Sequence, residues 1–451
     1  MISKVKWHNN NSLGDLELDF TKADGSPYKT IVLAGENGTG KTTILDTLST
    51  FLSLGSIEDF EYVDYFAPKN MKQYRITPME HNANLGFHIR QCKVDGSVEQ
   101  ILSSRHNQPE LIESDPCDLR HYGFSYSRAR SGFNTNKVTA TTTQQVDSEK
   151  FEDDSRDDFT SIKQLLVDVS AQDNEEWMRI TKSKENKPFD EFERQSKLFR
   201  FQNAFDAFFG SIHFSGINHA SDEIEILFEK HGKSIPIDKL STGEKQIVFR
   251  GAHLLKNANS IRGGIVLIDE PELSMHPKWQ QKVLRYYCDL FKVNGTQSAQ
   301  IIVATHSEYV IKAALEDGDN TLIIALQDND GAIEAKRITA PTVLPGITSA
   351  ETNYIAFGIA SSDYHIELYG HLQNKTGNVK IKSCDDYIAT SADYVKSIHE
   401  KPSSYTRDGH TTTYQTLPTY IRNAIDHPDS NRTFTEEELE HSIELLVKLC
   451  Q

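Results

Sequence analysis

The sequence predicts an α/β fold built on a buried parallel β-sheet, and three apolar segments that end in polar residues indicate it. Residues 30–34, 265–269 and 301–305 each have the composition of a short strand buried on both faces, because apolar side chains do not alternate with polar ones. Sheets of this class bind their ligands at the carboxyl ends of the strands. The residues that follow the three segments therefore define the candidate site.

The first strand leads into a glycine-rich loop with phosphate-binding spacing. Residues 35–42 match the pattern GxxxxGK[ST] without a mismatch, and an apolar helical pattern follows from Thr43. Backbone N–H groups of such a loop and helix cradle phosphates, so the chain is predicted to bind a nucleoside triphosphate. Lys41 is expected at the β- and γ-phosphates and Thr42 on Mg²⁺. The residues expected to line the triphosphate are Asn37, Gly38, Thr39, Gly40, Lys41, Thr42 and Thr43.

The second strand ends in two carboxylates, Asp269 and Glu270, which the sheet directs toward the nucleotide. Asp269 is expected to hold Mg²⁺, as the acidic residue of phosphate-loop enzymes does. Glu270 is expected to orient or deprotonate the attacking water. A surface acidic pair is the alternative, and the phosphate loop upstream disfavours it.

Two further segments complete the predicted site. The third strand ends at His306, for which we expect a γ-phosphate contact, with a structural histidine as the alternative. Ser241 and Gly243 open a helical pattern ahead of the acidic strand, and a helix N-terminus is a second anion site. Taken alone, a Ser-Thr-Gly cluster is also a common helix cap.

In this order the phosphate loop, LSTGEKQ (240–246), IVLIDE (265–270) and ATHS (304–307) resemble the ATP-binding-cassette (ABC) ATPases. The resemblance implies that the nucleotide is ATP with Mg²⁺ and that two protomers sandwich two ATP molecules. Ser241 and Gly243 would then act in trans. For the glutamine loop of that family the candidates are Gln144 or Gln145 and, alternatively, residues 125–130.

The stretch EPELSMHP (270–277) resembles the SMC-like and OLD-like branch of these ATPases, not the transporter ATPases. A β-hairpin predicted from residues 5–7 and 15–20 agrees with that branch. Segments 351–358, 365–369 and 421–428 further resemble the PtuA family, the ATPases of Septu anti-phage systems, also found with some retrons. This resemblance implies self-assembly and a separate HNH nuclease subunit, PtuB. It identifies a sensor and regulatory subunit of a defence complex.

We expect an SMC/OLD-like ABC-type core formed by residues 1–55 and 236–340. Residues 56–235 are expected to supply the rest of the first lobe and a helical insertion, and 341–451 a mainly helical module for partner binding or oligomerisation. The absence of sustained heptads argues against a long coiled coil. Helices of the module are expected at 351–359, 364–373 and 385–398, and behind a capping box at 435–438.

Arg422 and His427 match the RxxxxH pattern of HEPN ribonucleases. This match predicts an alternative function, RNA cleavage without metal, because histidine suits proton transfer and arginine suits phosphate charge. The structural alternative is that both residues cap the end of a helix. A second alternative function is a repair ATPase that binds DNA ends.

The composition limits the partners. The 451 residues are 37% hydrophobic and carry a formal net charge of −17, which disfavours broad nucleic-acid binding but not a local groove for phage or host nucleic acid. No apolar run approaches the length of a membrane helix, so we expect no membrane contact. Five dispersed cysteines and the lack of a signal-peptide pattern predict a cytoplasmic protein.

Overall fold

The computed structural model describes residues 1–79, 87–102, 109–130, 132, 133, 135–156, 158–183, 188–219, 223–329, 331–338, 342–407, 410–427 and 432–451. The chain forms two compact units, Met1–Arg337 and Ile338–Gln451. Asp330, Pro341 and Pro428, which belong to segments used in the sequence predictions, lie outside the described residues.

The first unit contains most of the strands. In chain order they are β1 (Ile2–Trp7), β2 (Glu17–Asp19), β3 (Thr30–Gly35), β4 (Phe60–Phe66), β5 (Gln73–Pro78), β6 (Phe87–Cys92), β7 (Val98–Leu102), β8 (Phe124–Ser127), β9 (Phe151–Asp153), β10 (Ile212–His219), β11 (Ile224–Lys230), β12 (Lys233–Pro236), β13 (Ile265–Asp269), β14 (Lys292–Val293), β15 (Thr296–Gln297), β16 (Gln300–Thr305), β17 (Thr321–Asn329) and β18 (Ala332–Ile338).

The helices of the first unit flank these strands. They are α1 (Lys41–Leu52), α2 (Pro109–Glu113), α3 (Phe159–Lys182), α4 (Phe189–Gln195), α5 (Lys197–Phe209), α6 (Thr242–Lys256), α7 (Pro277–Leu290) and α8 (Glu308–Glu316). Short 3₁₀ helices span Leu119–Tyr122, Asp154–Arg156 and Ile237–Lys239.

A seven-stranded sheet of order β18-β17-β3-β16-β13-β8-β9 forms the centre of the unit. The strand β3 pairs in parallel with both β16 and β17, and β13 pairs in parallel with β16 and β8. Every residue of β3, β13 and β16 is buried, as their continuous apolar composition predicts. The predicted α/β fold with a central parallel sheet is confirmed.

A second, antiparallel sheet has the order β2-β1-β4-β5-β6-β7. The predicted hairpin is present, since β1 pairs with β2. One hydrophobic core joins this sheet, α1 and the central sheet, and it includes Trp7, Leu48, Phe60, Leu267 and Ile302. The four strands β4–β7 were not predicted, because residues 60–102 alternate too irregularly to separate strands from loops. Within 56–235, helices α3–α5 follow these strands.

The second unit consists mainly of helices. They are α9 (Ser349–Phe357), α10 (Ser362–Thr376), α11 (Ile381–Thr390), α12 (Lys396–His399), α13 (Leu417–Asp426) and α14 (Glu436–Cys450), with one hairpin of β19 (Glu400–Arg407) and β20 (His410–Thr416). The predicted capping box is present, because Thr435 and Glu438 bond each other's backbone N–H groups. A separate core includes Leu368, Ile421 and Ile443.

Two expectations for this unit need correction. One helix over 385–398 is wrong, because α11 ends at Thr390 and Ser391 adopts an extended backbone before α12 begins. The hairpin of β19 and β20 was missed. Its residues are rich in Ser and Thr and lack the apolar alternation that identifies a strand.

Asp385 links α11 to the hairpin and to α13. The buried carboxylate accepts hydrogen bonds from the backbone N–H groups of Gln415 (2.9 Å) and Thr416 (3.0 Å) and from the Thr416 hydroxyl (2.7 Å). Thr416 in turn caps α13. Removing this acceptor takes a partner from two buried donors, the Thr416 backbone N–H and hydroxyl, which is a costly change.

We predict that Asp385→Ala destabilises the second unit by about 2–4 kcal/mol. Hydrogen exchange of the full chain, read on peptides from 417–426, should show protection falling by at least about tenfold. Asp386→Ala is the matched control, because Asp386 is exposed and pairs only with Lys382 among the described contacts of its side chain. Equal protection in the two variants would contradict the assigned role of Asp385.

Candidate nucleotide-binding site

Parallel pairing brings three strand ends to one edge of the central sheet. Thr305 of β16 lies opposite Ala34 of β3, and Asp269 of β13 lies opposite Ala304. The phosphate loop, the two carboxylates and His306 therefore follow directly from neighbouring strands, as the sequence predicts.

The phosphate loop connects β3 to α1 in a tight turn. Gly40 has φ 81° at the N-cap of α1, a left-handed conformation that favours glycine. A Cβ at Gly35 would lie 2.6 Å from the Leu326 carbonyl oxygen and 2.7 Å from Thr39 Oγ1. A side chain therefore does not fit at Gly35, and the backbone conformation disfavours one at Gly40. A glycine-rich loop of this kind, ahead of a helix, is a phosphate-binding geometry.

Lys41 bonds to the backbone of the phosphate loop, and Thr42 bonds to Asp269. Lys41 Nζ donates to the carbonyl oxygens of Gly35 (2.8 Å) and Glu36 (2.7 Å). Burial lowers the pKa of Lys41, and the nearby carboxylates, Asp269 foremost, oppose that shift. Thr42 Oγ1 donates to Asp269 Oδ2 at 3.0 Å. The two residues expected to hold Mg²⁺ are thus in direct contact.

Asp269 carries an oxygen that has no partner. Its Oδ1 is buried and makes no hydrogen bond to any described residue. Burial raises the pKa of Asp269 to about 6; the Thr42 hydrogen bond opposes this rise and the neighbouring charge of Glu270 adds to it. An oxygen donor set with a desolvated carboxylate suits a hard divalent cation, so these residues fit Mg²⁺.

The peptide between Asp269 and Glu270 is held from both sides. Arg250 Nη1 donates to the Asp269 carbonyl oxygen at 2.7 Å, and the Glu270 N–H donates to the Ala304 carbonyl oxygen at 2.9 Å. Glu270 has φ 44°, which is uncommon for a residue with a side chain. The two hydrogen bonds offset the cost of that conformation. Arg250 was not predicted, since a buried arginine in a helix has no local sequence signal.

Three ionisable side chains meet beyond this peptide. His306 Nδ1 lies 3.6 Å from Glu270 Oε1 and 3.6 Å from Glu272 Oε1. Glu272 was also not predicted, although the run Asp-Glu-Pro-Glu places three carboxylates within four residues. The predicted catalytic residues Glu270 and His306 are therefore neighbours.

Ser241 and Gly243 lie at the start of α6. Ser241 caps this helix and forms a capping box with Glu244, which also pairs with Lys230 at 2.6 Å. A Cβ at Gly243 would lie 2.7 Å from the Ser274 carbonyl oxygen, so only glycine fits there. Among the described contacts, no hydrogen bond joins Ser241 or Gly243 to the phosphate loop. Their action in trans stays a proposal.

The two glutamine-loop candidates lie in different surroundings. The segment 125–130 begins within β8, which pairs in parallel with β13, and Arg128 Nη1 lies 2.6 Å from Asp46 Oδ1 on α1. The Gln144 backbone N–H instead donates to Asp168 on α3. Among these described contacts only the segment 125–130 bonds to the phosphate-loop helix, and the position of the glutamine loop stays a prediction.

Arg422 and His427 lie at the end of α13. Arg422 Nη2 pairs with Asp426 Oδ2 at 2.6 Å along the same helix. His427 is the C-cap residue, and its ring stacks on Tyr405 with centroids 5.3 Å apart. These contacts support the structural alternative for both residues.

A helix must be long and apolar to span a membrane. None of the helices in the described ranges combines the length and the hydropathy required to span a bilayer.

A family model described as an AAA domain, putative AbiEii toxin, type IV TA system matches residues 31–312. This range extends from β3 to α8 and includes every predicted nucleotide-site residue. The chain belongs to this family. As an AAA-domain protein with the site geometry described above, it is an ATPase.

Relatives of this AAA-domain ATPase support the narrower resemblance. The Septu protein PtuA of Bacillus thuringiensis is 26% identical over 375 residues, which are 75% of this chain and 79% of that protein. The retron Ec83 probable ATPase of Escherichia coli is 35% identical over 106 residues, or 22% of this chain and 19% of that protein. The predicted similarity to the PtuA family is confirmed.

Among solved structures, the SMC head domain from Thermotoga maritima is 14% identical and has a TM-score of 0.39. The comparison covers 75% of this chain and 99% of that one.

We predict that Asp269→Asn stabilises the nucleotide-free ATPase at pH 7.5 in EDTA, by about 2 kcal/mol. A carboxyl whose pKa rises on folding, here from 3.8 to about 6, destabilises the folded state once it ionises. The gain should be full above about pH 6 and vanish toward pH 4, as thermal unfolding at several pH values would show. A variant that is less stable than wild type at pH 7.5 would contradict the assigned burial cost.

Proposed function

We propose that this ATPase binds and hydrolyses Mg-ATP as the sensor and regulatory subunit of an anti-phage defence complex, in which it controls a partner HNH nuclease. The convergence of Lys41, Thr42, Asp269, Glu270 and His306 at one sheet edge supports the nucleotide chemistry. The similarity to a Septu protein over 75% of the chain supports the defence role. The five free cysteines fit a reducing cytoplasm.

Thr42 and Asp269 would hold Mg²⁺. When bound, Mg²⁺ neutralises charge on the β- and γ-phosphates of ATP. Asp269 Oδ1, which has no described hydrogen-bond partner, would be free to donate to the ion, while Oδ2 already accepts a hydrogen bond from Thr42. Lys41 exchanges its two carbonyl contacts for phosphate oxygens when ATP enters the loop.

Glu270 and His306 act on the γ-phosphate side. The Glu270 carboxylate orients the attacking water and accepts its proton, and the His306 ring contacts the γ-phosphate. Ser241 and Gly243 of a second protomer complete the site from the opposite face, so that ATP stabilises a dimer or a higher oligomer. A conformational equilibrium biased by ATP then reaches the nuclease through the second unit, Ile338–Gln451.

We predict that Lys41→Ala loses ATP binding and that Glu270→Gln retains binding but hydrolyses ATP at least about a hundredfold more slowly. Each variant should be co-purified with the proposed HNH nuclease partner and assayed for complex mass and DNA cleavage with and without ATP. Lys182→Ala, at the exposed end of α3, is the control lysine variant.

The two variants should affect the complex in opposite ways. Glu270→Gln should accumulate the ATP-bound assembly, and Lys41→Ala should prevent it. If Lys41→Ala changes neither the assembly nor the cleavage by the nuclease, the proposed regulatory role is wrong.

A further inference from the structure

Glu272 is a carboxylate buried beside the turn that follows β16. Its side chain is 3% exposed, and a buried carboxylate is costly unless donors compensate. Its Oε1 accepts from Thr305 Oγ1 (2.6 Å) and from the His306 backbone N–H (3.0 Å). One oxygen atom therefore bonds the last residue of β16 and the first residue of the turn into α8.

These bonds belong to a closed cycle of hydrogen bonds. Thr305 Oγ1 accepts from the Ser307 N–H (3.0 Å), and Ser307 Oγ donates to Gln280 Oε1 (2.6 Å). Gln280 Nε2 donates to the Met275 carbonyl oxygen (2.9 Å), and the Met275 N–H donates to the Glu272 carbonyl oxygen (3.0 Å). This hydrogen-bond cycle connects the turns after β13 and β16 to α7, so a displacement of one turn disturbs the other.

The Nδ1 atom of the His306 ring lies close to the Glu272 carboxylate. Nδ1 is 3.6 Å from Glu272 Oε1 and from Glu270 Oε1, and Glu272 Oε2 is buried without a hydrogen-bond partner among the described residues. A buried acceptor beside Nδ1 favours a ring orientation in which Nδ1–H points at the carboxylates. Nε2 is then the nitrogen that faces outward, because the two ring nitrogens lie on opposite sides.

We propose that Glu272 is a positioning residue for ATP hydrolysis, which holds the Thr305–His306 turn and the His306 ring so that Nε2 reaches the γ-phosphate. This inference rests on the proposed role of His306. Glu272 itself touches neither the nucleotide nor the attacking water. The competing interpretation is that Glu272 only stabilises the turns.

A double-mutant cycle on Glu272 and His306 separates these interpretations. Steady-state ATP hydrolysis should be measured for wild type, Glu272→Ala, His306→Ala and the double variant, to give kcat and the KM for ATP. We expect Glu272→Ala to lower kcat about tenfold or more with little change in KM. The double variant should be no slower than His306→Ala, because Glu272 acts through His306. Glu316→Ala, exposed at the end of α8, is the control carboxylate variant.

Glu272→Gln covers the case in which the alanine variant misfolds. Its amide oxygen can still accept from Thr305 and from the His306 N–H, so it should recover part of kcat, and its own cycle with His306→Ala should again be non-additive. Losses that multiply independently, or a Glu272→Ala variant with wild-type kcat, would overturn the inference. A His306→Ala variant with wild-type kcat would overturn the proposed role of His306 and this inference together.

Discussion

Parallel pairing of β3, β16 and β13 is the constraint on which the site depends. Neighbouring parallel strands end at the same edge of a sheet, so the residues that follow them must meet there. The phosphate loop, Asp269 and His306 are far apart in sequence, and the register of these three strands alone makes them neighbours. Every residue of these three strands is buried, so the apolar interior of the sheet supports the strand ends that carry the site.

The same arrangement concentrates negative charge where water is excluded. Asp269, Glu270 and Glu272 follow one strand within four residues, and Asp269 is buried with one oxygen unpartnered. Two cationic groups reduce the cost of burying this charge but do not remove it. Arg250 donates to the Asp269 carbonyl oxygen, and Lys41 is attracted by the nearby carboxylates. In the proposed function, a bound Mg²⁺ would offset this negative charge, so that nucleotide binding would stabilise the site.

The nucleotide site was more accessible to prediction than the rest of the chain. Short motifs next to strands contain the predicted residues Lys41, Thr42, Asp269 and His306. Such motifs can be recognised in a single sequence. Arg250 and Glu272 contact the site through tertiary hydrogen bonds, so no local spacing identifies them. Strands β4–β7 and the hairpin of β19 and β20 were missed for a different reason. Each pairs with an adjacent strand along the chain, but their residues lack the regular alternation of apolar and polar side chains that identifies a strand.

In the proposed ATP sandwich, two protomers share each ATP, with Lys41 from one and Ser241 from the other. The most direct measurement is ATP hydrolysis by a mixed dimer of Lys41→Ala and Ser241→Arg chains, co-expressed with different tags and purified through both. Each variant alone damages every site, whereas the mixed dimer contains one site in which Lys41 and Ser241 are both intact. If Lys41 and Ser241 act from different protomers, the mixed dimer recovers a substantial fraction of wild-type activity. A mixed dimer as inactive as either variant alone would contradict the proposed ATP sandwich.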